Sequence, residues 1–223
     1  MNRTNSRQGH KTKHTHTIRR HTETAIQFSR LEEITAVLKS YGLESADHAG
    51  IACHTMSADR RQGLADSLFR FVSPQVFANE RLLVLRILAD AGCDGISGLL
   101  LDEFARNDCE DRWEIGNMLY STADRRFFPE YAEIARNRIY GTDRQMVVLI
   151  FGKLKITEAK PLLINLLGDD TVCGHALDSL SRIADADDIR YFVPFFNCGS
   201  SWMRKTAAKF LKKHGAGKTD SDS

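Results

Sequence analysis

The apolar residues of this chain recur in tandem, and that recurrence limits the fold more than any other feature. In GHALDSLSRIADADDIRYFVPFF, residues 174–196, Ala176, Leu177, Leu180 and Ile183 fall at helical spacing. Asp185-Ala186-Asp187 reads as a turn, and Ile189, Phe192, Val193 and Phe196 form a second helical series. Moving back 29 residues gives Val147, Val148, Phe151 and Leu154, then Lys160, Leu163, Ile164 and Leu167, where Lys160 alone breaks the pattern. A further step sets Gly116-Asn117-Met118-Leu119 on Gly174-His175-Ala176-Leu177, followed by Tyr131 and Ile134. Val84, Leu85 and Leu88, then Ile96, Leu99, Leu100 and Phe104, repeat the plan upstream, and Ala207, Ala208 and Leu211 supply a last, lone first helix. A two-helix unit of this size cannot bury its apolar face alone, so neighbouring units must stack. The expected fold class is all-α.

Composition agrees with a helical chain that has a sizeable core. Of 223 residues 42% are hydrophobic and only four are proline. Five cysteines, odd in number and never spaced CxxC, disfavour both a disulfide framework and a standard zinc site. No apolar run approaches the length of a membrane span, and the polar start lacks the apolar stretch of a signal peptide. These features predict a cytoplasmic protein with no membrane partner. Residues 1–22 hold six basic side chains and no acidic one, leaving 25 Lys and Arg against 29 Asp and Glu in the rest. The tail is basic and the body mildly acidic, the reverse of a body made to wrap nucleic acid.

Residues 1–24 read as a disordered basic, histidine-rich tail, 25–215 as the repeat domain, clearest over 77–215, and 216–223 as a second tail. Within the domain, Ser29-Arg30-Leu31-Glu32 has the form of a capping box ahead of a helix near 30–41. A helix is expected near 58–72, and 43–57 is either a loop or a degraded repeat. Charged pairs between units, Asp143-Arg144 and Asp169-Asp170, suit exposed turns and helix starts.

The stretches GKLKITEAKPLLINLLGDD, GHALDSLSRIADADDIRYFVPFF and WMRKTAAKFLKKHG resemble bacterial HEAT repeats of the short kind shared with phycobilin-lyase subunits. RWEIGNMLYST fits the first helix of such a unit. The resemblance implies a right-handed α–α superhelix, a HEAT-like solenoid of about five to six helix pairs, with second helices lining a concave binding surface. On those helices Arg106, Glu133, Arg136, Asn137, Asn165, Arg190 and Tyr191 are the polar residues expected to face a protein partner. Some lyase subunits bind linear tetrapyrroles, but no residue here demands a bilin, and no cofactor is expected.

Trp113-Glu114-Ile115-Gly116-Asn117 is similar in spacing to the W-x-x-x-D of HEAT-like DNA glycosylases, with Asn117 where their catalytic carboxylate stands. A neutral amide cannot stabilise a developing oxocarbenium charge as a carboxylate does. Trp113 and Asn117 are therefore candidate nucleic-acid contacts at most, and repeat-junction packing explains them as well. His10, His14, His16 and His21 lack the carboxylates or thiols of a metal site, Cys173 and His175 are a lone pair, and the aspartate pairs suit caps and turns. The sequence thus predicts no catalytic and no metal residue. It predicts a non-catalytic protein-binding scaffold, with a nucleic-acid-binding relative of the glycosylases as the alternative.

Overall fold

Ten α-helices carry the architecture of the computed structural model, which describes residues 27–44, 49, 52, 53 and 55–215. They are α1 (Leu31–Ser40), α2 (Ala58–Leu68), α3 (Ala78–Asp90), α4 (Ile96–Phe104), α5 (Arg112–Ser121), α6 (Phe128–Arg136), α7 (Gln145–Lys153), α8 (Lys160–Leu166), α9 (Cys173–Ser181) and α10 (Ser201–Gly215). Short 3-10 turns join several of them, and no strand occurs among the described residues. Both tails, with the histidines of the first, and most of 43–57 short of Thr55 lie outside those residues.

The first helices of successive pairs, α3, α5, α7, α9 and α10, pack one on the next. Their contacts keep a nearly fixed sequence offset of 27–32 residues. Arg86 pairs with Glu114, Gly116 lies against Asp143 and Met146, Ser179 donates to the Val148 carbonyl, and Gly174 lies beneath Trp202. Where two contacts join the same pair, both partners advance together. Gly152 meets Ser179 while Lys155 Nζ donates to the Arg182 carbonyl, and Gly116 meets Asp143 while Lys153 Nζ donates to the Ser121 carbonyl. Antiparallel neighbours would run in opposite senses. The first helices are therefore parallel, with their N-termini along one edge. Ala176 and Ala207 are fully buried between them, as small residues at a close approach must be.

The second elements are less uniform. α4, α6 and α8 are helices of seven to nine residues, but the series from Ile189 to Phe196 is two 3-10 turns, Ala186–Tyr191 and Val193–Phe195. Pro194 removes a backbone donor there, so an α-helix gives way. Only Phe192 of that series is fully buried, stacked on Phe210 of α10. Lys160, the misfit of the apolar pattern, donates to Asp188 at 2.7 Å and Asp185 at 3.0 Å, tying α8 to the next unit.

The expected capping box does not form. Ser29 and Glu32 make no reciprocal bonds, and Arg30 is the N-cap. Instead Glu80, in the first turn of α3 and 5% exposed, accepts from Ser29 Oγ and from the Arg30 amide, each at 2.7 Å. A parallel bridge between Phe28 and Val76 brings the two helix starts together. A distant carboxylate thus meets the free amide that a local residue was expected to cap. Glu80→Ala should destabilise the fold by about 1–2 kcal/mol, read as a lower urea midpoint. An unchanged midpoint would show that this cap carries no weight.

Candidate functional site

Each first helix from α3 onward reaches back from its start to the end of the segment before it. Arg81 Nη1 donates to the Val76 carbonyl at 2.6 Å, Arg112 Nε to Phe104 at 3.0 Å, Arg144 Nη1 to Ala135 at 2.7 Å and Arg204 Nη1 to Cys198 at 2.7 Å. In α9 the place is taken by Cys173, whose thiol donates to the Leu167 carbonyl at 3.0 Å. These five positions recur every 29–32 residues, so they repeat the unit in polar rather than apolar residues.

Two of the arginines are also the cations of buried ion pairs. Arg81, 1% exposed, donates to Glu103 at 3.0 and 2.9 Å and to Asp108 at 3.1 Å. Arg144, 1% exposed, donates to Asp169 at 2.6 Å, to Thr171 at 2.7 Å and to the Gly141 carbonyl at 3.0 Å. Arg144 and Asp169 therefore do not lie in exposed turns as expected. They are internal, because the carbonyls at a segment end need donors that water cannot reach. Burial pushes the Asp169 carboxyl upward, but hydrogen bonds from Thr171 and Arg144 outweigh it and bring it down to about 2.

The edge so fastened is where the large exposed apolar side chains are. Phe28 and Leu31 flank the start of α1, Phe77 is the N-cap of α3, and Trp113 is the second residue of α5. Ile139 lies between α6 and α7, Val193 and Phe196 precede α10, and Trp202 is its second residue. All eight sit at the N-terminal side of a first helix, and none lies in a described turn of the opposite edge. Ile139 is 90% exposed although its turn is fixed. The Asn137 side chain accepts from the Ile139 amide at 3.2 Å, Gly141 takes a positive φ of 48°, and Arg138 pairs with Asp169. Glu110, Asp111, Asp143 and Asp170 add carboxylates that make no ion pair among the described residues, and Asp111 caps α5.

That confinement to one edge defines the candidate surface. No family model, curated protein or solved structure matches the chain.

The residues expected to face a partner divide into two groups. Glu133 and Arg136 on α6 and Asn165 on α8 are exposed. Arg106 is held by Asp108 at 2.8 Å and Glu103 at 3.6 Å, Asn137 caps its turn, and Arg190 lies on the Tyr191 ring and donates to its hydroxyl at 2.9 Å. These four serve the fold or each other. Trp113 is 45% exposed and so does not fill a repeat junction, and Asn117 is half-buried one turn along α5. The sequence reading missed the edge because helical periodicity says which residues share a face, not which of them a neighbour covers.

Burial shifts the pKa values of several titratable groups. Burial pushes the Cys93 thiol up to about 11 and the Cys109 thiol up to about 12, so both are protonated and unreactive at neutral pH. Desolvation lowers the His175 pKa, and its ring packs edge-on against Trp202. A shallow cavity of about 470 Å³ on the opposite edge is lined by Asp90, Cys93, Asp94, Ser97, Asp124 and Arg126, with Arg126 engaged by Asp124. Among the described residues no three His, Cys, Asp or Glu side chains converge as a metal site would require.

Proposed function

We propose that the chain is a non-catalytic protein-binding module, a right-handed superhelix of short HEAT-like repeats. Its partner docks on the edge formed by the N-termini of the first helices. The observation that carries this reading is the confinement of Trp113, Trp202, Ile139 and their apolar companions to that one edge. Scattered exposed apolar residues are ordinary on a soluble protein, but their collection along one edge marks a contact surface. Tryptophan and other large apolar anchors surrounded by polar residues are typical of an interface centre. Here Glu133, Arg136 and Asn165 on the second helices supply that polar surround, so the surface shifts from the second helices to the edge beside them.

The supporting experiment measures retention of the native partner by the full chain and by two variants, Trp113→Ala and Ile139→Asp. Each should weaken binding by about 2 kcal/mol, roughly thirtyfold, as interface anchors do. Ile139 is 90% exposed, so the unfolding midpoint of Ile139→Asp should stay within about 0.5 kcal/mol of wild type and keeps the binding test clear of stability. Undiminished binding by both variants would place the contact elsewhere.

A further inference from the structure

The last helix carries a second, chemically different surface. On α10, Lys205, Lys209, Lys212 and Lys213 are exposed, and none forms an ion pair among the described residues. At 3.6 residues per turn they fall within about 100° of arc. The opposite arc is covered, with Ala207 and Phe210 buried and Met203 and Leu211 packed against the core. Among the described residues no element covers the lysine stripe. An uncovered helix face needs polar residues for solubility, but mixed charge meets that need. α1 does so, exposing Glu32, Glu33 and Lys39. A stripe of one sign on α10 has a further purpose.

We infer that the lysine face of α10 binds the sugar–phosphate backbone of nucleic acid. The charge density matches. Lys205 to Lys212 spans about 10 Å along the helix, and a duplex offers one negative charge per about 1.7 Å of its axis. Lysine is a point charge with rotatable donors, suited to phosphate oxygens. Arginine, asparagine and glutamine, which read base edges, do not occur on the stripe, so the contact is independent of sequence. An anionic membrane fits less well, because an interfacial helix inserts its apolar face and that of α10 is already buried in the protein. The stripe adjoins the protein-binding edge at Trp202, one turn before Lys205 on the same arc, but its test reads duplex binding and does not depend on that reading.

Fluorescence anisotropy of the full chain with 20-bp duplexes of two unrelated sequences, between 50 and 200 mM KCl, tests the inference. The variants are Lys205→Gln/Lys209→Gln/Lys212→Gln and, separately, Gln at the tail positions Arg3, Arg7, Lys11, Lys13, Arg19 and Arg20. Wild type should bind both duplexes equally. The triple α10 variant should bind at least about tenfold more weakly at 50 mM, and its log–log salt slope should be shallower by about 2.7, or about 0.9 per lysine. Lys209→Gln alone should lower the slope by about 0.9, which keeps the test valid if the triple variant is less stable. The tail variant should retain the α10 dependence. Wild-type affinity and slope in the α10 variants, or binding by wild type only to phosphatidylserine vesicles or to neither ligand, would overturn the inference.

Discussion

Arg144→Ala should destabilise the protein by about 3–5 kcal/mol, because it removes one partner of a buried ion pair and leaves the other charged. Asp169 is 7% exposed, and without Arg144 its carboxylate faces only Thr171 and Arg138, the latter at 3.4 Å and largely in solvent. The Ala135 and Gly141 carbonyls lose their donor as well. For a chain of this length the loss corresponds to a fall of about 10 °C in Tm. The acid limb changes with it. A folded-state pKa of about 2, below the ordinary aspartate value, gives stability that is present above about pH 4 and is lost as pH falls through about 2. In Arg144→Ala the hydrogen bonds from Thr171 remain but the guanidinium that helps them outweigh burial is gone, so destabilisation on acidification should begin at higher pH. Arg144→Met combined with Asp169→Leu should recover much of the loss, since an apolar pair can replace a buried ionic one. Urea unfolding between pH 3 and 8 checks all three. A change below 1 kcal/mol in Arg144→Ala would show that the pair is idle.

Gly152→Val should cost about 3 kcal/mol, by a different mechanism. A Cβ at Gly152 would stand 2.7 Å from the Ser179 Cα and 3.0 Å from its Oγ, where α7 crosses α9. The nearest atom is backbone, so relief requires the two helices to separate, and overpacking of this kind exceeds the roughly 1 kcal/mol gained by removing a helical glycine. Gly174 provides the contrast. Its Cβ would meet the Trp202 ring at 2.5 Å, but that side chain is 43% exposed and can swing outward. Gly174→Ala should therefore cost less than Gly152→Val in chemical denaturation. The opposite order would mean that the α7–α9 contact yields more readily than the Trp202 side chain.

The apolar periodicity predicted the first helices well because their buried faces are continuous. Val147, Val148 and Phe151, and Ala176, Leu177 and Leu180, are all fully buried at the expected offset. It failed where one residue changes the backbone, as Pro194 does in the last second element. It also failed where polar residues do the work of burial. The 29–32 residue recurrence of Arg81, Arg112, Arg144, Cys173 and Arg204 was present in the sequence, but reading charge as exposure hid it. Arg144 is among the largest fully buried side chains, an outcome that depends on Asp169 and two carbonyls arriving at the same place. Ser29 illustrates the same limit at shorter range, since its local capping partner lost to Glu80, 51 residues away.

The candidate surface was only partly predictable for a related reason. Second helices were expected to present Arg106 and Asn137, yet the folded chain uses both to fix the turns that present other residues. Trp113 and Ile139 stay uncovered, 45% and 90% exposed, and whether a neighbour covers such a position is something no pattern within one unit reveals.

Site-specific photocrosslinking in the native cell addresses the account most directly. A benzophenone amino acid is placed in turn at Ile139 on the apolar edge, at Asn165 on the second helices and at Glu158 on the opposite edge. Docking through the N-terminal edge gives discrete, saturable protein adducts from position 139, weaker ones from 165 and none above background from 158. Adducts concentrated at 158, or at 165 without 139, would contradict docking through the N-terminal edge.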